Sequence, residues 1–143
     1  MKLDDCFNNR KLIRIRPDMF KAKKSIDIAE SKLAEARELL SAGFKNNAAV
    51  TAYSSMFHAG RALLYRDGIQ EKSHFCLIAY LKEIYASSNK ITPEIITLMD
   101  SFREQRHNIM YGFEIFEVSE EEVEEAIESA SKLIGMAKSL IGK

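Results

Sequence analysis

Apolar residues in this chain recur at helical intervals and almost nowhere at strand intervals. Between about Asp18 and Ala42, Ile26, Ala29, Leu33, Ala36 and Leu40 fall three and four residues apart. That spacing puts them on one stripe of a helix but on both faces of a strand. A second run, from about Asn46 to Asp67, is apolar nearly all round: Ala48, Ala49, Val50, Ala52, Tyr53, Met56, Phe57, Ala59, Ala62, Leu63 and Leu64. A helix this broadly apolar has to be covered on several sides. The chain therefore predicts a bundle with this segment at its centre or shared with a second subunit. No segment alternates apolar and polar residues as a half-buried strand does.

Glycine and proline fall where helices should begin or end. Gly43 and Gly68 follow the first two helices. Ser73 can cap a third helix that runs to about Ala86. Thr92-Pro93 puts proline in the first turn of a fourth. After a turn from Gly112 to Val118, Ser119 and Glu122 make a capping-box pattern that opens a fifth helix reaching Ile141. The expected fold is all-α, an up-and-down bundle of four long helices plus a shorter helix. At 143 residues the chain suits one core, with residues 17–143 as a single domain. Residues 1–16 are read as a basic arm or short helix carrying Lys11, Arg14 and Arg16.

Lys+Arg and Asp+Glu total 21 each, so there is no overall basic signature for nucleic acid. The charge is uneven all the same. Residues 1–24 hold eight Lys/Arg against three Asp, and 117–128 hold seven Glu and no cation. No apolar run approaches the roughly 18 residues of a membrane span, and the N-terminus has no apolar signal segment. Cys6 and Cys76 fit no zinc or Cys-x-x-Cys spacing. Both are expected as reduced thiols in a cytoplasmic protein, Cys76 as core packing. No cofactor and no metal site is expected.

The densest functional signal lies on the fourth helix, in Arg103, Arg106, His107, Asn108 and Tyr111. Arg103, His107 and Tyr111 are i, i+4 neighbours on one stripe, flanked by Arg106 and Asn108. Guanidinium groups bind phosphate bidentately, and an imidazole can move a proton near neutral pH. Arg103, Arg106 and Asn108 are candidate phosphate or RNA ligands; Arg106, His107 and Tyr111 are the candidates if there is catalysis. The plainer alternative pairs both arginines with Glu on neighbouring helices and leaves a non-catalytic structural bundle. His58, Arg61 and His74 are secondary candidates. His58, within an apolar run, reads first as a hydrogen-bonded buried histidine, and His74 as local capping or packing.

Two stretches give the chain a family resemblance. One is Ala48 to Leu64, with its embedded Tyr53, Met56-Phe57-His58 and Arg61-Ala62-Leu63-Leu64, followed by Lys72-Ser73-His74-Phe75. The other is Arg106-His107-Asn108-Ile109-Met110-Tyr111. Over about residues 20–141 the chain resembles HEPN-domain proteins of the small stand-alone prokaryotic type. The resemblance implies a bundle that forms a homodimer, with two motif helices facing across a shared cleft. It implies RNA or nucleotide binding, and a partner role beside a minimal nucleotidyltransferase in a toxin–antitoxin-like pair. Many members are metal-independent ribonucleases with an Arg, polar residue, three positions, His motif. Arg106 and His107 match its first two positions, and Tyr111 stands where the motif histidine falls. Phe113 stands where some toxin members carry a modifiable tyrosine. An RNA- or nucleotide-binding module with a degenerate ribonuclease motif is the expected function. The alternative is an active endoribonuclease using Arg106 and His107.

Overall fold

The computed structural model describes residues 3–112 and 117–142. The elements run α1 (Leu3–Asn8), β1 (Leu12–Arg14), α2 (Met19–Ser41), α3 (Lys45–Asp67), β2 (Ile69–Glu71), α4 (His74–Tyr80), a π-helical turn (Leu81–Ala86), α5 (Pro93–Tyr111) and α6 (Glu120–Ile141). The all-α bundle is the observed architecture.

Local chemistry explains most boundaries. The Asp18 carboxylate accepts from the Lys21 backbone N–H at 2.9 Å and caps α2. Gly43 and Gly68, at φ +88° and +80°, take the left-handed conformation that ends a helix at little cost to glycine. A side chain at Gly68 would also meet the Ile15 carbonyl oxygen at 2.7 Å. The Ser73 hydroxyl accepts from the Cys76 N–H. Ser119 and Glu122 form the full capping box. Pro93 opens α5, although the Thr92 side chain makes no capping bond.

Helix α3 is the centre. It packs against α2, α6, α5 and α4. Ala22, Ala29 and Ala36 of α2, Ala48, Ala52 and Ala59 of α3, and Ala126, Ala130 and Ala137 of α6 are all fully buried. Side chains this small let helix axes approach closely. The Ser55 hydroxyl, also buried, donates to the Ala29 carbonyl at 2.7 Å. At Gly60 an added Cβ would come within 2.8 Å of Leu81 Cδ1, so glycine lets the Leu81 side chain pack directly on the α3 backbone.

Three features depart from the expectations. The third helix does not run regularly to Ala86; it turns π-helical after Tyr80. There the Tyr80 and Tyr85 hydroxyls both donate to Asp67 Oδ2, at 2.8 and 2.6 Å. These bonds fasten the turn to the end of α3. Second, β1 and β2 form an antiparallel ribbon with Leu12 opposite Glu71 and Arg14 opposite Ile69. Strands of three residues are too short to show alternation in a sequence. Third, Cys6 and Cys76 are not reduced thiols. They form a disulfide, 70 residues apart in sequence, with Cα atoms 5.8 Å apart. Spacing along the chain could not show this, because folding alone brings α1 onto α4. Residues 3–14 are thus tied down as helix and strand, and the expected turn from Gly112 to Val118 falls largely outside the described residues.

A cross-link closing so long a loop restricts the unfolded chain. Cys6→Ser should lower unfolding free energy by about 2–4 kcal/mol in denaturant titration. A dithiol reductant should cause the same loss in the parent protein and none in the variant; equal stability of parent and variant would count against the disulfide.

Candidate functional site

One side of α3 escapes full apolar cover. Val50, Ser54, His58 and Arg61 follow one another at four, four and three residues, so they share a face. That face lines a groove of about 420 Å³ with Lys32 of α2, His74 of α4, and Arg106 and Met110 of α5. The groove brings together three secondary candidates, His58, Arg61 and His74, with one primary candidate, Arg106. Among the described residues, no carboxylate lines it.

Each charged group is held differently. Arg61 Nε donates to Glu71 Oε1 at 2.6 Å, and Glu71 is buried behind it in β2. The Arg61 guanidinium lies 5.7 Å over the Phe57 ring and 5.8 Å over Tyr65, a cation–π arrangement. Its position is set by Nε, which leaves the terminal nitrogens for the groove. Lys32 reaches Glu35 at 3.3 Å on the exposed side. Arg106 is half-buried and has no ion-pair partner among the described residues.

The imidazoles form the floor. The His74 ring stacks on Phe57 with centroids 4.1 Å apart, and its Nδ1 is 2.8 Å from the Tyr53 hydroxyl. Burial, followed by Arg106, Arg103, Arg61 and His58, pushes the His74 pKa down to about 4. Burial, then Arg61 and Lys32, lowers that of His58. Burial raises that of the Tyr53 hydroxyl, which therefore keeps its proton. Both histidines are neutral at pH 7, beside Arg61 and Arg106. His58 Nδ1 is buried and has no hydrogen-bond partner among the described residues.

The remaining candidates lie elsewhere. Arg103 Nε donates to Asp100 at 2.9 Å, and Nη2 is 3.6 Å from Glu104. Its guanidinium lies 5.4 Å from the Phe75 ring centroid. His107 and Tyr111 do form the expected i, i+4 contact, rings 5.3 Å apart, but both are exposed, Tyr111 to 61%. Asn108 is exposed too, and its carbonyl closes the end of α5 by accepting from Gly112. Phe113 lies outside the described residues. Lys32, Tyr53, Phe57 and Glu71 were not singled out as site residues in the sequence. The i, i+3 pair His58 and Arg61 in an apolar run was the available signal for the face; nothing in the sequence marked Glu71.

Among the described residues no three or more His, Cys, Asp or Glu are grouped to hold a metal ion. None of the described helices is long and apolar enough to cross a membrane. The HEPN domain family matches residues 22–140. A comparison with curated proteins finds no match.

The depressed His74 pKa has a consequence for stability. An unfolded histidine titrates near 6.5, and folded His74 near 4. Below about pH 6.5 the unfolded chain takes up the proton first, so stability falls as pH drops from 6.5 towards 4. Denaturant titration across that range should show this slope. His74→Gln should flatten it; an unchanged slope would assign it to other groups.

Proposed function

Because the chain belongs to the HEPN domain family, we propose that the groove between α2, α3, α4 and α5 binds RNA or a nucleotide through phosphate. The carrying observation is the convergence of Arg61 and Arg106, from two helices, on a groove that no carboxylate lines among the described residues. An anion there offsets the mutual repulsion of the cations, and guanidinium groups match phosphate oxygens in geometry. Members of this family commonly bind RNA and dimerise.

Isothermal titration with a short oligoribonucleotide tests the reading. Arg61→Ala and Arg106→Ala should each weaken binding roughly tenfold to hundredfold, the worth of a charged hydrogen bond. Arg103→Ala, which removes a group already paired with Asp100 and Glu104, should cost less. Full affinity in both groove variants would reject the site.

A catalytic reading is favoured by one observation: the groove holds two neutral imidazoles beside Arg106 and Arg61. A phosphate bound beside His74 would raise its pKa from about 4 towards the range in which an imidazole takes a proton from a ribose hydroxyl. EDTA-resistant RNA cleavage should then be lost in His74→Ala and kept in His107→Ala. The reverse pattern would put the chemistry on the exposed face, with Arg106, His107 and Tyr111.

The homodimer belongs to the same proposal. Met110 and Tyr111 on α5, with Phe75 on α4, are large apolar or aromatic side chains left exposed, and a second copy would cover them. Sedimentation should show twice the 16.3 kDa chain mass and a shift to single chains in Tyr111→Glu; one 16.3 kDa species in the parent protein would exclude the dimer. A minimal nucleotidyltransferase as partner, in a toxin–antitoxin-like pair, rests on the resemblance. So does a cytoplasmic location, where the disulfide would have to persist. Its two cysteines, 0% and 1% exposed, are shielded from thiol exchange.

A further inference from the structure

We infer that the disulfide-fastened N-terminal segment extends the groove into a phosphate track, so that the ligand is a single-stranded oligonucleotide rather than a mononucleotide. The inference rests on the groove being the nucleotide site. His74 lines the groove, and Lys72, exposed, precedes it by two residues. Two extended residues span about 7 Å. The Lys72 N–H donates to the Lys11 carbonyl at 2.8 Å, which sets exposed Lys11 beside it, one strand spacing or roughly 5 Å further on. Arg10 follows at the corner, with φ +57°. None of Arg10, Lys11 and Lys72 is in an ion pair among the described residues. Lys72 and Lys11 thus follow His74 along one end of the ribbon.

The corner is rigid. Lys11 N donates to the Cys6 carbonyl at 2.8 Å and Arg10 N to Phe7 at 3.1 Å. Cys6 is joined to Cys76, two residues beyond His74. Groove and corner are therefore fastened to the same short helix, α4. Lysines on a fixed backbone cost a ligand less ordering on binding than lysines on a mobile arm. A mononucleotide brings a single phosphate, which Arg61 and Arg106 hold, and leaves none for Lys72 and Lys11. A strand of several nucleotides carries them at every step.

The test compares adenosine 5′-monophosphate with an eight-nucleotide oligoadenylate by calorimetry on the full chain. The octamer should bind more tightly. Lys11→Ala/Lys72→Ala should weaken the octamer about fivefold to tenfold and reduce its salt slope by about 1.4, at 0.7 per phosphate contact on a single strand. Monophosphate affinity should stay the same. Lys132→Ala/Lys138→Ala on α6, with the same loss of charge, should leave both affinities unchanged. Equal binding of octamer and monophosphate overturns the track and leaves the groove standing, as does an octamer indifferent to the Lys11/Lys72 pair or equally weakened by the α6 pair. Failure of both ligands to bind the parent protein overturns groove and track together. Capture on anionic lipid vesicles without octamer binding would likewise reject the track.

Discussion

Thirteen of the 23 residues of α3 are buried, and covering this helix is the constraint that organises the molecule. Burial of apolar area is the dominant favourable term in folding, so every other long helix finds its place by laying an apolar stripe on α3. The alanine faces of α2 and α6 do this at close range. Helix α5 and the π-helical turn do it on another side, with Gly60 letting Leu81 come into contact. What remains uncovered is the stripe from Val50 to Arg61, where α3 turns polar. The groove is thus the part of the central helix that its neighbours leave open.

The electrostatics of the groove follow from that position. A half-buried site penalises charge on an imidazole, and nearby guanidinium groups add to the penalty. His58 and His74 are neutral as a result, beside the guanidinium groups of Arg61 and Arg106. Arg106 has no ion-pair partner among the described residues, whereas the Glu71 carboxylate offsets the charge of Arg61 by binding Nε from the buried side. It fixes the direction in which Arg61 points. The free protein therefore presents positive potential over an aromatic floor of Phe57, Tyr53 and His74, an arrangement suited to phosphate.

The N-terminal segment matters more than its composition suggests. Its three-residue strand pairs with the strand that carries Glu71, and its disulfide reaches the helix that carries His74. Two groups that shape the groove are thus braced by residues 6–14. An isolated two-stranded ribbon is marginal in water; here the covalent link and the helices beneath supply what so short a ladder cannot.

The helices were legible because their signals are local. Apolar periodicity, Asp18, Ser73 and the Ser119–Glu122 box act within a few residues, and backbone chemistry decides their outcome wherever the segment ends up. The family was legible for the same reason, in Ala48 to Leu64 and Arg106 to Tyr111. The site was only partly so. Spacing showed that Arg103, His107 and Tyr111 share a stripe, but not that the stripe at His107 and Tyr111 faces solvent while Arg106 turns inward. Spacing says which side chains are neighbours on one helix; the packing of other helices decides what that face meets. The Arg61–Glu71 pair, the Tyr53–His74 contact and the Cys6–Cys76 bond join residues 10, 21 and 70 positions apart. The sequence by itself determined the helices, their caps and the apolar centre. Only the tertiary structure decided which cations converge, which histidines stay neutral and which cysteines meet, because those depend on distances through space that no local pattern encodes.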